Sequence, residues 1–311
     1  MERPTMYASK LGRGRSSGGS EGGIGSGNGS PGAVGREKLL FGTAGVPKST
    51  KGTSTLEGIQ RIVELGLDCL EVEFVKGVKM GGDTAEKIGE AAREKGVRLS
   101  LHAPYYVNLN SPEEGKRLAS QERLLQSARL AAKCGAESVV FHSGYYGRDE
   151  PGKAFEAIKK GIKEVVSILK AERCPVVLRP ETMGKRSQFG SLEEVLILCR
   201  EVEGLMPCLD FSHIHAREGR GKANSYREFD RILRKIERKL GIDAIKNIHI
   251  HISGAEYNSK GELKHVNLDE SDFRYEDWVL ALKDYGVAGM VICESPIQER
   301  DALMLKNLYQ T

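Results

Sequence analysis

Residues 98–142 read RLSLHAPYYVNLNSPEEGKRLASQERLLQSARLAAKCGAESVVFH. A short apolar run stops at His102, a longer amphipathic segment follows, and a second apolar run stops at His142. Short runs of β-type residues joined through a helical segment are the pattern of a parallel βαβ unit, whose strands are covered on both faces. The same alternation recurs along the chain and predicts eight strands: Leu39 to Thr43, Cys69 to Phe74, Arg98 to His102, Ser138 to His142, Val176 to Glu181, Met206 to Phe211, Asn247 to Ile252 and Gly289 to Glu294. Helix boundaries are legible between them. Ser54 opens TLEGIQRIVELG and Gly66 closes it, Asp83 opens TAEKIGEAAREKG and Gly96 closes it, and Ser191 with Glu194 has capping-box spacing before VLILCREVEG. Tyr226 to Leu240 repeats apolar residues at Phe229, Ile232, Leu233, Ile236 and Leu240, a helical period. Eight βα repeats without a glycine-rich phosphate loop after the first strand predict an α/β fold, a TIM (β/α)8 barrel rather than a doubly wound sheet.

A barrel of about 250 residues accounts for most of the 311. Residues 37–311 are read as that domain, and residues 1–36, Gly/Ser-rich from position 12 to 35, as a disordered tail too poor in apolar side chains to offset the entropy of ordering. Net charge is +4, of which the tail carries +3, so the body gives no bulk electrostatic signal for a polyanion. Any such partner has to be drawn by local basic loops or by bound metal; Lys76, Lys79, Lys185, Arg186, Arg217, Arg220 and Lys222 are the loop candidates. No apolar run reaches the roughly 18 residues of a membrane span. Six scattered cysteines without a C-x-x-C pair, and no secretory leader, indicate a reducing, cytoplasmic setting. Nothing in the sequence calls for a membrane or an obligate protein partner.

The chemistry lies at the strand ends. His102, His142 and His251 close three strands, and Glu181, Asp210 and Glu294 close three others, all at the C-terminal face where barrel active sites form. One buried polar residue there is ordinary; six in unbroken order on strands three to eight point to metal ligation. Imidazole mixed with carboxylate suits zinc, with manganese the alternative, and six ligands exceed the needs of one tetrahedral ion. At least two ions follow, with Glu181 as a natural bridge because its two oxygens can reach two metals. Asp210-x-x-His213 and His265, on a loop after strand seven, extend the set toward a third ion. His249 shares strand parity with His251 and is read as a hydrogen-bonded interior residue; His215 is read as a loop residue.

These residues resemble endonuclease IV, the zinc-dependent apurinic/apyrimidinic endonuclease group among the xylose-isomerase-like TIM barrels. The likeness spans residues 37–311 and rests on LHAPYYVNL, FHSGYYG, RPETMGK, LDFSHIHA, HIHISGAEY and ICESP, in order. It implies one zinc on His102, His142 and Glu181, a second on Glu181, Asp210, His251 and Glu294, and a third on His213 and a downstream Asp-x-His. Here that last motif is Leu263-Lys264-His265, which leaves the third site short of a ligand unless Glu262 or water substitutes. Tyr105 and Tyr106 match a loop that enters the DNA base stack. The implied reaction is hydrolysis of the phosphodiester 5′ to an abasic site in double-stranded DNA, with Glu181 catalytic. A single-metal sugar isomerase or epimerase would need only Glu181, Asp210, His251 and Glu294, and leaves four histidines idle; a non-catalytic relative that binds damaged DNA is a third reading.

Overall fold

The computed structural model describes residues 38–75, 77–219 and 221–311. The Gly/Ser-rich segment 1–36, Lys76 and Arg220 lie outside the described residues. Strand and helix alternate: β1 Leu39–Ala44, α1 Thr55–Leu65, β2 Cys69–Glu73, α2 Gly82–Lys95, β3 Arg98–His102, α3 Glu114–Lys133, β4 Ser138–Phe141, α4 Pro151–Ala171, β5 Val177–Pro180, α5 Leu192–Glu201, β6 Cys208–Asp210, α6 Phe211–Ala216, α7 Tyr226–Leu240, α8 Ile242–Lys246, β7 Ile248–Ile252, β8 Gly254–Asn258, β9 Gly261–Val266, α9 Tyr275–Tyr285, β10 Gly289–Cys293 and α10 Gln298–Gln310.

Local chemistry sets these boundaries. Ser54 and Glu57 form a reciprocal capping box ahead of α1, and Gly66 ends it in the left-handed conformation. Ser191 and Glu194 form the same box at α5. Helix α2 starts earlier than the sequence suggests: Gly81 is the N-cap and Asp83 lies in the first turn, where its charge favours the positive end of the helix dipole.

Eight parallel strands run in the order β5-β4-β3-β2-β1-β10-β7-β6. The circuit is completed by isolated parallel bridges, Leu178 with Leu205 and Glu181 with Cys208, so the sheet is a barrel. The helices form the outer layer; Ile59, Ile62, Ile158, Ile162, Phe229, Leu233 and Trp278 are buried in the packing around the sheet. Barrel interiors are ordinarily filled by bulky branched side chains. This one is polar. Glu71 on β2 reaches Ser100 on β3 and His249 on β7, a contact that has to cross the interior because β2 and β7 are not neighbours.

After β7 the chain does not pass into a plain loop, as the sequence suggests, but folds into the β8–β9 antiparallel hairpin. The pairing Glu256 with Lys264 is followed by Tyr257 with Glu262, which leaves Leu263 as the extra residue of a bulge.

Candidate metal centre

Each of the six strand-end residues arrives at the same mouth of the barrel. His102 and Asp210 are the last residues of β3 and β6, His251 is one before the end of β7, and His142, Glu181 and Glu294 directly follow β4, β5 and β10. Glu181 sits at their centre, buried. Its Oε2 lies 2.9 Å from His142 Nε2 and 3.3 Å from His102 Nε2, while its Oε1 lies 3.4 Å from His251 Nδ1 and 3.4 Å from His213 Nδ1. The two oxygens thus face different groups. His251 Nδ1 is also 3.3 Å from Glu294 Oε1. A tetrahedral ion with bonds of about 2.0–2.1 Å places its ligand atoms about 3.3 Å apart, so this spacing suits ligands around a cation. The atoms of His102, His142 and Glu181 lie within 4.8 Å of one another, as do those of Glu181, Asp210, His251 and Glu294. Asp210 Oδ2 and His251 Nδ1 are buried without a hydrogen-bond partner, which a bound cation would remedy.

The ring orientations fit the same purpose. His102 Nδ1 donates to the Ala103 carbonyl at 2.7 Å, leaving the Nε2 lone pair toward Glu181. His213 Nδ1 donates to the Thr182 carbonyl at 2.8 Å, and its Nε2 faces His265 Nε2 at 3.3 Å. Both His213 and His265 stand in regular elements. His213 is on helix α6, whose N-cap is Asp210: the Asp210 carboxylate accepts from the His213 amide at 2.7 Å and turns the two side chains to one side. His265 is on β9, not in a loop.

Glu262 takes the position that Leu263 cannot. Its carboxylate lies 3.6 Å from His213 Nε2 and 3.7 Å from His265 Nε2. Residues three apart on a regular strand face opposite ways, but the bulge at Leu263 restores the parity and turns Glu262 and His265 to the same face. Leu263 itself is 54 % exposed. The approach also depends on Gly184, where a Cβ would come within 2.8 Å of the His213 ring and 2.7 Å of Glu262.

Negative charge is concentrated here. Burial would lower His102, but Glu73 and Glu181 beside it carry it up to about 10. His251 is likewise raised against burial, by Cys208 and then by Glu294 and Glu71, and His213 by Asp210, Glu181 and Glu262, whereas His142, His102 and His213 hold Glu181 well below the usual carboxylate range against burial. The mouth of the barrel is a place where cationic charge is held.

Two carboxylates escaped the sequence reading. Glu71 and Glu73 lie on β2, which contributed no candidate. Glu71 is fully buried, and Glu73 accepts a 2.7 Å hydrogen bond from Tyr105 Oη. Burial pushes Glu73 up to about 7. The available signal was the alternation in CLEVEF: two acids of one parity inside a strand that is covered on both faces.

The remaining candidates separate. The Tyr105 ring packs against His102 and His142, with centroids at 5.0 and 5.3 Å, while Tyr106 is half exposed with the Arg123 guanidinium 4.6 Å from its ring centre. Lys185 lines the open cavity of about 490 Å³ above the cluster, together with Tyr105, His142, Glu181, His213 and His265. Arg217 does not offer itself to a ligand: its guanidinium donates to the carbonyls of Met183, Lys185 and Gln188 and to Tyr146 Oη. His215 is no loop residue; it is buried in α6 with both nitrogens engaged, by the Lys222 carbonyl and by Asp272. His249 points into the barrel as its parity predicts, and burial pushes it down to about 4. The six cysteines are unpaired, and no helix among the described residues is long and apolar enough to cross a membrane.

The sequence matches the model of the xylose isomerase-like TIM barrel family over residues 59–308. It is 45 % identical over 271 residues to an uncharacterized protein of Methanocaldococcus jannaschii, covering 87 % of this chain and 97 % of that one. Probable endonuclease 4 of Aquifex aeolicus is 26 % identical over 215 residues, 68 % of this chain and 74 % of its own. Its namesake in Mycoplasma pneumoniae is 27 % identical over 184 residues, 58 % of this chain, and the match spans 61 % of that protein's length. Among solved structures, a D-tagatose 3-epimerase-like protein superposes with a TM-score of 0.67 and endonuclease IV from Thermus thermophilus with 0.65. Both are 20 % identical; the first covers 87 % of this chain and 96 % of its own, the second 86 % and 96 %. At such identity the superpositions speak to the barrel and not to the reaction.

Proposed function

The chain belongs to the xylose isomerase-like TIM barrel family, and from that premise we propose that it is a zinc-dependent DNA-repair endonuclease. It hydrolyses the phosphodiester 5′ to an abasic site in double-stranded DNA, leaving a 3′-hydroxyl and a 5′-deoxyribose phosphate. The observation that carries this reading is the gathering of His102, His142, His213 and His265 around Glu181 and Glu262. A one-ion isomerase is complete with Glu181, Asp210, His251 and Glu294 and has no use for them.

In this reading His102, His142 and Glu181 hold one ion, Glu181, Asp210, His251 and Glu294 a second, and His213, His265 and Glu262 a third. Zinc suits the mixture of imidazole and carboxylate, with manganese the alternative. When bound, such a cluster supplies Lewis acidity that makes water a nucleophile near neutral pH and offsets charge on phosphoryl oxygens. Glu181, whose two oxygens face different ligand groups, orients the attacking water. Lys185 at the cavity wall meets a phosphate, Tyr105 covers His102 and His142 and limits solvent access, and the freer Tyr106 ring stacks on a base beside the lesion. The site opens on a protein that works in the cytoplasm and needs no protein partner.

The rival is a sugar epimerase, favoured by the self-sufficiency of the four-residue set and by the superposition on the 3-epimerase-like protein. Incubation with a duplex carrying one abasic site, with and without chelator, and in parallel with free ketoses, separates the two. Incision that requires metal is expected. An intact strand under zinc-replete conditions, with turnover of a ketose, refutes the proposal. Glu181→Gln is expected to abolish incision.

A further inference from the structure

Beneath His251 the barrel carries a carboxylate that the proposed hydrolysis does not use. Glu71 projects from the middle of β2 and is fully buried. Its Oε2 accepts hydrogen bonds from Ser100 Oγ at 2.7 Å and from His249 Nε2 at 3.0 Å, which fix the plane of the carboxylate. Its Oε1 has no hydrogen-bond partner of good geometry and lies 2.8 Å from His251 Nε2. Distance separates the two sides of this imidazole. Atoms that share a tetrahedral ion stand about 3.3 Å apart, and His251 Nδ1 keeps that spacing from Glu181 and Glu294, at 3.4 and 3.3 Å. The 2.8 Å on the Nε2 side is the length of a charge-assisted N–H···O contact.

We propose that Glu71 is a positioning residue for the metal centre: it keeps the proton of His251 on Nε2 and thereby presents Nδ1 to the ion shared with Glu181, Asp210 and Glu294. The inference rests on the metal-cluster reading above. A carboxylate behind a ligating imidazole fixes its tautomer and ring plane and raises its basicity. Strand register supplies the support: Glu71 pairs with Ser100 across β2 and β3, and His249 and His251 share the inward face of β7. The polar interior is then a scaffold for the ligand layer above it.

Zinc titration against a competing chelator tests this. Glu71→Gln, of equal size and without charge, is expected to weaken one class of ion by about 10–100-fold and leave the others. Ser100→Ala, which removes one of the two bonds that orient Glu71 without touching its charge, is expected to show a smaller loss at the same ion, and stands alone if the first variant does not fold. Two-bond proton–nitrogen spectra of histidine-labelled, zinc-loaded protein are expected to show His251 metal-bound at Nδ1 and protonated at Nε2. Wild-type affinity in both variants, or metal at Nε2, overturns the proposal. Wild-type protein that takes up no zinc sinks the metal-cluster reading instead. Glu71 is then decided by the metal-free spectrum: a slowly exchanging His251 Nε2 proton in wild type that Glu71→Gln loses supports its role, and equal exchange in both refutes it.

Discussion

Replacing Glu262 by alanine should reduce the zinc content from three ions per chain to two. The carboxylate is 3.6 Å from His213 Nε2 and 3.7 Å from His265 Nε2, with 12 % of its side chain exposed, so an ion held by all three lies no farther from it than those nitrogens do. At an effective dielectric near 20, a carboxylate and a divalent ion about 3.6 Å apart attract by about 9 kcal/mol; with desolvation of the carboxylate and water taking up the lost coordination offsetting most of this, a net of about 3 kcal/mol remains, roughly two orders of magnitude in affinity. Metal analysis after dialysis against buffered free zinc reads this directly. Leu263→Asp adds a control, because the resemblance puts an aspartate ligand at this position while the bulge here points the side chain outward. In the Glu262→Ala background Leu263→Asp should not restore the third ion. Three ions retained by Glu262→Ala at wild-type affinity, or recovery through Leu263→Asp, would refute the assignment of Glu262.

Tyr106→Ala should weaken binding of an abasic duplex by about 1–3 kcal/mol, the worth of one aromatic–base stack, without changing zinc content; equal binding by both proteins in a titration would remove Tyr106 from the interface. Arg217→Ala leaves the buried carbonyls of Met183 and Gln188 without this donor and removes one of two partners from the Lys185 carbonyl and from Tyr146 Oη, and should cost about 2–4 kcal/mol of stability in a denaturant melt. An unchanged melt with weakened duplex binding would return Arg217 to the phosphate contacts. Against burial, Glu299 is held below the usual carboxylate range by its own amide and by the amides of Ser49 and Lys48. A depressed folded pKa contributes stability above the unfolded value of about 4.3 that is lost as pH falls through the folded one. Glu299→Gln should therefore lower the melting temperature at about pH 7, and the gap to wild type should narrow toward about pH 3; a gap that is constant with pH would contradict the sign.

The barrel was legible because its repeat is long and punctuated: eight apolar runs, caps such as Ser54 and Ser191, and a glycine at the end of α1. The strand-end cluster was legible because histidine and carboxylate at one end of an apolar run are conspicuous. Glu71 and Glu73 were not, since they stand inside the run CLEVEF while the other candidates were sought at strand ends. Glu262 was named as a substitute ligand at the third site, but not the geometry that brings it there. Strand parity says that Glu262 and His265 face opposite ways, and only the bulge at Leu263, a matter of register between two short strands, reverses that. His215 shows the opposite error, a residue in a polar stretch that tertiary packing buries completely.

Charge at the barrel mouth supplies a test that does not depend on turnover. Glu73, Glu181, Asp210, Glu262 and Glu294 all belong to the site, and among the described residues Lys185 is the one lysine or arginine along the cavity wall above them. Protonated His102, His213 and His251 offset part of that charge in the metal-free protein; divalent ions take the place of those protons and add the further positive charge that draws a phosphodiester, for which the +1 balance of the body offers no distant substitute. A neutral sugar has no such requirement. Zinc removal should therefore weaken equilibrium binding of a non-cleavable abasic duplex, not only its incision, and readdition should restore it. The dependence should be steepest at low ionic strength, where the Debye length is about 30 Å at 0.01 M salt and the carboxylates act at longest range. Binding of the duplex with equal affinity by metal-free and zinc-loaded protein would show that DNA docks elsewhere on the chain, and would leave the metal centre to a smaller substrate.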